Sequence, residues 1–184
     1  MAGAAEVNDA FAAQLARSGL VPMGYCTNLS ERGRQWRHGA TLLEDLSGPE
    51  ADALGELMLL VHVKAGQALI REGEVGDWML LLLSGTVDVT KTADNGVVSR
   101  LAVIKEGAAV GEMSMLDAAP RYATCTAIED VEAGVLNRAA VARLIQNHPA
   151  VGAKLLVKLT QLLAQRLRNT SNQLVKLLQK QPGG

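Results

Sequence analysis

The seventeen residues from Gly107 to Ala123, GAAVGEMSMLDAAPRYA, hold the residue types best suited to chemistry in this chain of 184. Gly111 and Glu112 precede the short helix-compatible run Met113 to Leu116, and Pro120 delivers Arg121 nine residues after Glu112. A glycine ahead of a one-turn helix leaves backbone N–H groups unpaired at the positive end of that helix, where an anion can be cradled. Arg121 adds a permanent positive charge in a planar fork that matches phosphate. Glu112 can accept a sugar hydroxyl. These are the parts needed to hold a small phosphorylated sugar. The same spacing also allows Glu112 and Arg121 to pair with each other across a surface loop, and the residues alone leave both readings open.

The segments on either side must position this one. From Val61 onward the pattern is that of strands: Val61 to Val63, Ala68 to Arg71, Trp78 to Leu83, Thr86 to Lys91 and Val97 to Ile104, with Asp94-Asn95-Gly96 as a hairpin turn. Thr124 to Ile128 and Glu132 to Leu136 form a second block of strand. Short strands at this spacing, punctuated by glycine, predict an antiparallel barrel or jelly roll. Upstream, Ala10 to Arg17 is helix-compatible until Gly19, Pro22 and Gly24 interrupt it, and Thr41 to Val61 reads as broken helical turns with an apolar run from Ala53 to Leu60. Within it, Ser47, Pro49 and Glu50 make a helix-start signature. Downstream, Asn137 can cap a helix over Arg138 to Asn147, and His148-Pro149 breaks it. Ala150 to Lys180 then predicts a helix of roughly 45 Å. The expected fold class is α+β: an antiparallel β-roll flanked by N-terminal helices and a long C-terminal helix. The expected divisions are an N-terminal extension (1–40), a β-roll (41–149) and a C-terminal helix (150–184).

Composition excludes several classes. At 48% hydrophobic the chain supports a core, and no apolar run approaches the ~20 residues of a membrane helix. The N-terminus lacks the basic start and apolar stretch of a secretory signal. Two cysteines, Cys26 and Cys125, are too few for a disulfide scaffold and lack metal-ligand spacing, so a reducing cytoplasm is expected. Three histidines (His38, His62 and His148) sit in unrelated contexts, so neither a metal site nor a catalytic residue is expected. Residues 1–132 hold 10 bases and all 19 acids, a net −9, whereas the last 52 residues carry +8. The chain is 3% aromatic, and the bases of the C-terminal helix are not interleaved with aromatic residues, so nucleic-acid binding is not expected. Attraction between helix and roll, or to an acidic partner, fits the imbalance better.

The motifs occur in a telling order: Gly66-Gln67-Ala68-Leu69-Ile70-Arg71-Glu72-Gly73, then Gly76-Asp77-Trp78 through Thr86-Val87, Gly111-Glu112-Met113-Ser114-Met115-Leu116, and Pro120-Arg121-Tyr122-Ala123-Thr124. Over residues 42 to 175 the chain resembles the cyclic nucleotide-binding domain of catabolite activator-type regulators, kinase regulatory subunits and gated channels. The resemblance implies that Gly107 to Ala123 is a phosphate-binding cassette, with Glu112 on the ribose 2′-hydroxyl and Arg121 on the cyclic phosphate. The N–H groups around Gly111, Met113, Ser114 and Ala123 would complete the cradle, and Val89 and Leu101 would face the base. Tyr122 departs from the small residue common at its position, which leaves the ligand open: cyclic AMP first, cyclic GMP second. The run Arg166 to Ser171 looks similar to the family segment whose Thr-Ser step, here Thr170 and Ser171, reaches the purine.

These implications lead to a non-enzymatic sensor with no cofactor, which signals to an unidentified effector protein through movement of its C-terminal helix. Leu156, Leu159, Leu163, Leu167, Leu174 and Leu177 recur along one helix face, which predicts that this helix both lids the roll and joins two copies in a homodimer. The chain ends without the DNA-binding segment of the regulators, so none is expected. The alternative is an interaction module that has kept the fold, lost or changed its ligand, and serves as a protein–protein adaptor.

Overall fold

The computed structural model describes residues 2–34, 36 and 41–180; His38 and part of the basic stretch before it lie outside the described residues. The element order is α1 (Ala2–Arg17), β1 (Pro22–Tyr25), α2 (Leu29–Gly33), α3 (Gly48–Gly55), β2 (Leu59–Val63), β3 (Ala68–Ile70), β4 (Trp78–Ser84), β5 (Val87–Thr92) and β6 (Val98–Ile104). There follow β7 (Ala109–Val110), α4 (Glu112–Asp117), β8 (Thr124–Ala127), β9 (Val131–Asn137), α5 (Arg138–Asn147) and α6 (Pro149–Lys180). The strands form a five-stranded sheet in the order β1-β2-β9-β4-β7 and a four-stranded sheet in the order β3-β8-β5-β6. All pairings are antiparallel.

Strand β4 shows how the core is divided. Side chains alternate across a strand, and here both faces are apolar. Trp78, Leu80 and Leu82 point into the roll, where they meet Val61, Val63, Val87, Val131 and Val135. Met79, Leu81 and Leu83 face a second core with Leu54, Met58, Leu144, Leu155 and Leu159. One strand thus joins the roll to its helical cover, and β7 pairs with it, leading straight into Gly111 and Glu112.

Two boundaries differ from expectation. The apolar run Ala53 to Leu60 divides, with helix to Gly55 and strand from Leu59. A Cβ at Gly55 would lie 2.3 Å from the Cys26 carbonyl oxygen, so the chain packs tightly there before Leu59 pairs with Val135. Pro22 to Tyr25, which reads as an interruption because of Pro22 and Gly24, becomes the edge strand beside β2. The cross-strand bonds to β2 override local propensity.

The helix starts follow their signals. The Ser47 N–H donates to the Glu50 carboxylate at 2.7 Å, the expected capping contact. Asn137 Oδ1 accepts from the Ala140 N–H at 2.8 Å and starts α5. His148 leaves the helical region, as a residue before proline does, and Pro149 opens α6. In its first half, α6 buries Val151, Leu155 and Leu159. Lys154 pairs with Glu50 at 2.8 Å, and Lys158 with Glu44 at 2.5 Å and Asp45 at 3.4 Å. Burial acts to lower the Lys158 pKa, but these two carboxylates outweigh it and raise the group above the ordinary lysine value. The opposite charges of the two chain segments therefore meet within the molecule. No described helix is long and apolar enough to cross a membrane.

Candidate functional site

A cavity of about 630 Å³ opens between the four-stranded sheet, the α4 segment and α6. Gly111 starts α4 with a left-handed φ of 80°, and a Cβ there would lie 2.7 Å from Ile70 Cδ1 and 2.9 Å from Arg121 Nη1. Glycine is thus demanded twice over, by backbone conformation and by the closeness of the arginine. Behind it, α4 is fastened at its C-terminal end by Arg138, whose Nε donates to the Met115 carbonyl at 2.8 Å.

Arg121 is 4% exposed, and its backbone is clamped to the preceding loop. Its N–H donates to the Glu74 carbonyl at 2.8 Å, and its own carbonyl accepts from the Gly73 N–H at 2.9 Å. Nη1 donates to the Gly111 carbonyl at 2.8 Å, and the guanidinium lies over the Trp78 ring, 4.2 Å from its centroid. Nη2 is buried without a hydrogen-bond partner. Burial lowers the Arg121 pKa, a sign that the charge is poorly solvated.

Glu112 is 1% exposed and does not pair with Arg121, which settles the alternative left open by the spacing. One carboxylate oxygen, Oε1, accepts from Arg166 Nη1 on α6, and Arg166 Nη2 donates to the Ala109 carbonyl at 2.6 Å. The other oxygen, Oε2, is buried and unpartnered. Arg121 and Glu112 thus both line one cavity, and each holds a buried atom with an unmet hydrogen bond. Such groups are costly to leave unmade.

The cavity lining includes Gly111, Glu112, Met113, Ser114, Arg121, Tyr122, Ala123, Val89, Leu101 and Thr170, all of them residues singled out in the sequence. Ser171 is exposed and does not line it; one helical step turns it about 100° from Thr170. Sequence reasoning missed Asn169 and Gln173, two amides four residues apart on the same helix face, and gave no role to Arg166. The spacing Leu163, Arg166, Leu167, Thr170, Gln173 was the available signal. Tyr122 is 57% exposed at the mouth, with Lys91 Nζ 4.8 Å from its ring centroid and Lys91 in turn paired with Glu72 at 2.5 Å. Tyr122 thus lines the cavity while more than half of the residue is exposed. Cys125 also borders the cavity, and burial pushes its thiol up to about 12, so it stays protonated and inert. No cluster of three or more metal-ligating side chains occurs among the described residues.

Comparison with known proteins agrees with this geometry. The family model for the cyclic nucleotide-binding domain matches residues 60–148. A solved cyclic nucleotide-binding domain from Methylobacillus flagellatus aligns with a TM-score of 0.72 at 33% identity, covering 90% of this chain and 91% of its own. The chain belongs to the cyclic nucleotide-binding domain family. Among curated members, the CRP-like cAMP-activated global transcriptional regulator of Mycobacterium tuberculosis is 32% identical over 126 residues, 68% of this chain and 54% of the regulator. The cAMP-dependent protein kinase regulatory subunit of Yarrowia lipolytica is 36% identical over 104 residues, 56% of this chain and 27% of the subunit. The chain therefore spans about half the length of one relative and about a quarter of the other. The stretch matched to the family contains the whole α4 segment and Arg121, whereas Arg166, Thr170 and Gln173 lie beyond it.

Proposed function

We propose that this chain is a regulatory sensor that binds a cyclic nucleotide, cyclic AMP in preference to cyclic GMP, and passes its occupancy to a partner protein through α6. The observation that carries this reading is the buried, unpartnered Nη2 of Arg121 at the cavity wall. The cyclic phosphate takes that nitrogen together with the N–H groups at the start of α4. The ribose 2′-hydroxyl takes the free Oε2 of Glu112, and the base lies against Val89, Leu101 and the Thr170 face of α6. The names of the two curated relatives, one cAMP-activated and one cAMP-dependent, support cyclic AMP.

The route to a signal lies in the carboxylate of Glu112, because one oxygen holds α6 through Arg166 while the other is free for the ligand. A ligand shifts the helix only by binding its two positions with different affinity, and a shared carboxylate supplies that difference. The exposed Leu167, Leu174, Leu177 and Leu178 beyond Arg166 support a homodimer through α6. Both cysteines are free and buried, in keeping with the reducing cytoplasm expected for such a sensor.

Isothermal titration calorimetry tests the binding. Wild-type protein gives saturable heat with cyclic AMP, and Arg121→Ala loses about thirtyfold or more in affinity, the weight of a charge-assisted contact. Heat with neither cyclic AMP nor cyclic GMP favours the adaptor reading instead, to which the bulky Tyr122 at the cavity mouth lends support.

A further inference from the structure

We infer that Trp78 is a positioning residue for the anion site: its indole serves as an aromatic shelf that holds the Arg121 guanidinium and leaves one of its nitrogens free for an anion. The inference rests on the reading above of Arg121 as the phosphate-binding group. A buried arginine is ordinarily neutralised by a carboxylate. Among the described residues no carboxylate forms an ion pair with Arg121: Asp77, Glu74 and Glu112, whose charges reach it, are engaged with Gln14, Arg71 and Arg166. A carboxylate partner would satisfy the guanidinium and compete directly with any incoming phosphate. An aromatic face stabilises the cation without occupying its hydrogen-bond donors.

The geometry is that of a slot. Trp78 is 2% exposed and opens β4, opposite Asn137 of β9, so its backbone is fixed by the sheet. Its ring lies 4.2 Å from the guanidinium carbon, and Gly76 and Gly111 close the sides. A Cβ at Gly76 would stand 2.9 Å from Arg121 Nη2 and 3.0 Å from Trp78 Nε1, and one at Gly111 would stand 2.9 Å from Arg121 Nη1. With its backbone held by Glu74 and Gly73, and Nη1 held by Gly111, the side chain has surrendered its freedom before any ligand arrives. Preorganisation of this kind raises affinity by removing an ordering cost.

Two readouts test the inference. In calorimetry with cyclic AMP, Trp78→Leu loses about tenfold in affinity, the weight of one desolvated cation–π contact, whereas Trp78→Phe, which keeps a ring, recovers most of it. Trp78→Leu binding as tightly as wild type would overturn the inference. The second readout needs no ligand. In a Trp36→Phe background Trp78 is the one tryptophan left, and under selective tryptophan excitation adding Arg121→Ala shifts its emission by removing the charge above the ring. Unchanged emission in the folded double variant overturns the shelf. A wild type that binds no cyclic nucleotide, paired with a shifted emission, removes the proposed ligand and keeps the Trp78–Arg121 contact.

Discussion

The two walls of the cavity are built in opposite ways. On the α4 side, Glu112, Ser114 and Arg121 are each under 5% exposed, and Arg121 is pinned by backbone, carbonyl and ring. On the α6 side, Leu167 is 68% exposed, and Asn169, Thr170 and Gln173 stand open to solvent. The first wall supplies fixed charges in a dry setting, where electrostatic interactions are strongest. The second is one side of a helix whose buried residues lie in its first half and which Arg166, beyond that half, ties to Glu112 and Ala109. Under the proposed reading, the rigid wall would take the sugar phosphate and the more open helix would report its presence.

The contrast runs along α6 itself and can be broken there. Leu159 is fully buried in the helical core, whereas Leu177 is 64% exposed. Leu159→Ala should cost about 2–5 kcal/mol in urea unfolding, and Leu177→Ala about 0.5 kcal/mol or less in the monomer. Equal costs would mean that the far half of α6 is as firmly seated as the near half.

Arg166 joins the two walls, so Arg166→Ala should separate their roles. A loss of about tenfold in cyclic AMP affinity is expected together with a lower melting temperature, because the substitution leaves the buried Glu112 carboxylate without its cation. A collapse in stability with unchanged affinity would make the Arg166–Glu112 bond a purely structural bolt.

The smallest effect concerns the seat of α6. The Lys154 ammonium, and after it the Ser47 backbone N–H, hold the Glu50 carboxyl down to about 2 from an ordinary 4.5. The fold thus favours the ionised form. Its stabilisation is complete above pH 4.5 and is lost as pH falls toward about 2. Melting curves of wild type and Glu50→Gln should differ by a few degrees at neutral pH and converge in that acid window. A gap that persists to pH 2 would assign the difference to something other than this ion pair.

How much of this was legible before the fold was known depended on whether a feature is local. A continuous apolar run revealed β4, alternation revealed β5, the Asp94-Asn95-Gly96 turn led into β6, Asn137 announced its helix, and the spacing around Glu112 and Arg121 drew attention to residues that line the cavity. Strand β1 was hidden because Pro22 and Gly24 become strand only when β2 is alongside. The partner of Glu112 was hidden because Arg166 lies 54 residues away and meets it only once α6 has folded back over the roll. Trp78 reads in the chain as one more core residue of a buried strand. Its contact with Arg121 arises where the first residue of β4 meets a loop from beyond α4. Ser171 shows the converse: a linear motif names two neighbours, and helical geometry turns only one of them to the cavity.

On the proposed reading, a cyclic nucleotide meets the unsatisfied hydrogen bonds of Arg121 and Glu112. A crystal structure of the protein grown with cyclic AMP tests it most directly. The expected result is density in the cavity with the cyclic phosphate on Arg121 Nη2 and the ribose hydroxyl on Glu112 Oε2, and with Arg166 still bound to Oε1. An empty cavity at saturating nucleotide, or a nucleotide seated away from Arg121, would contradict it.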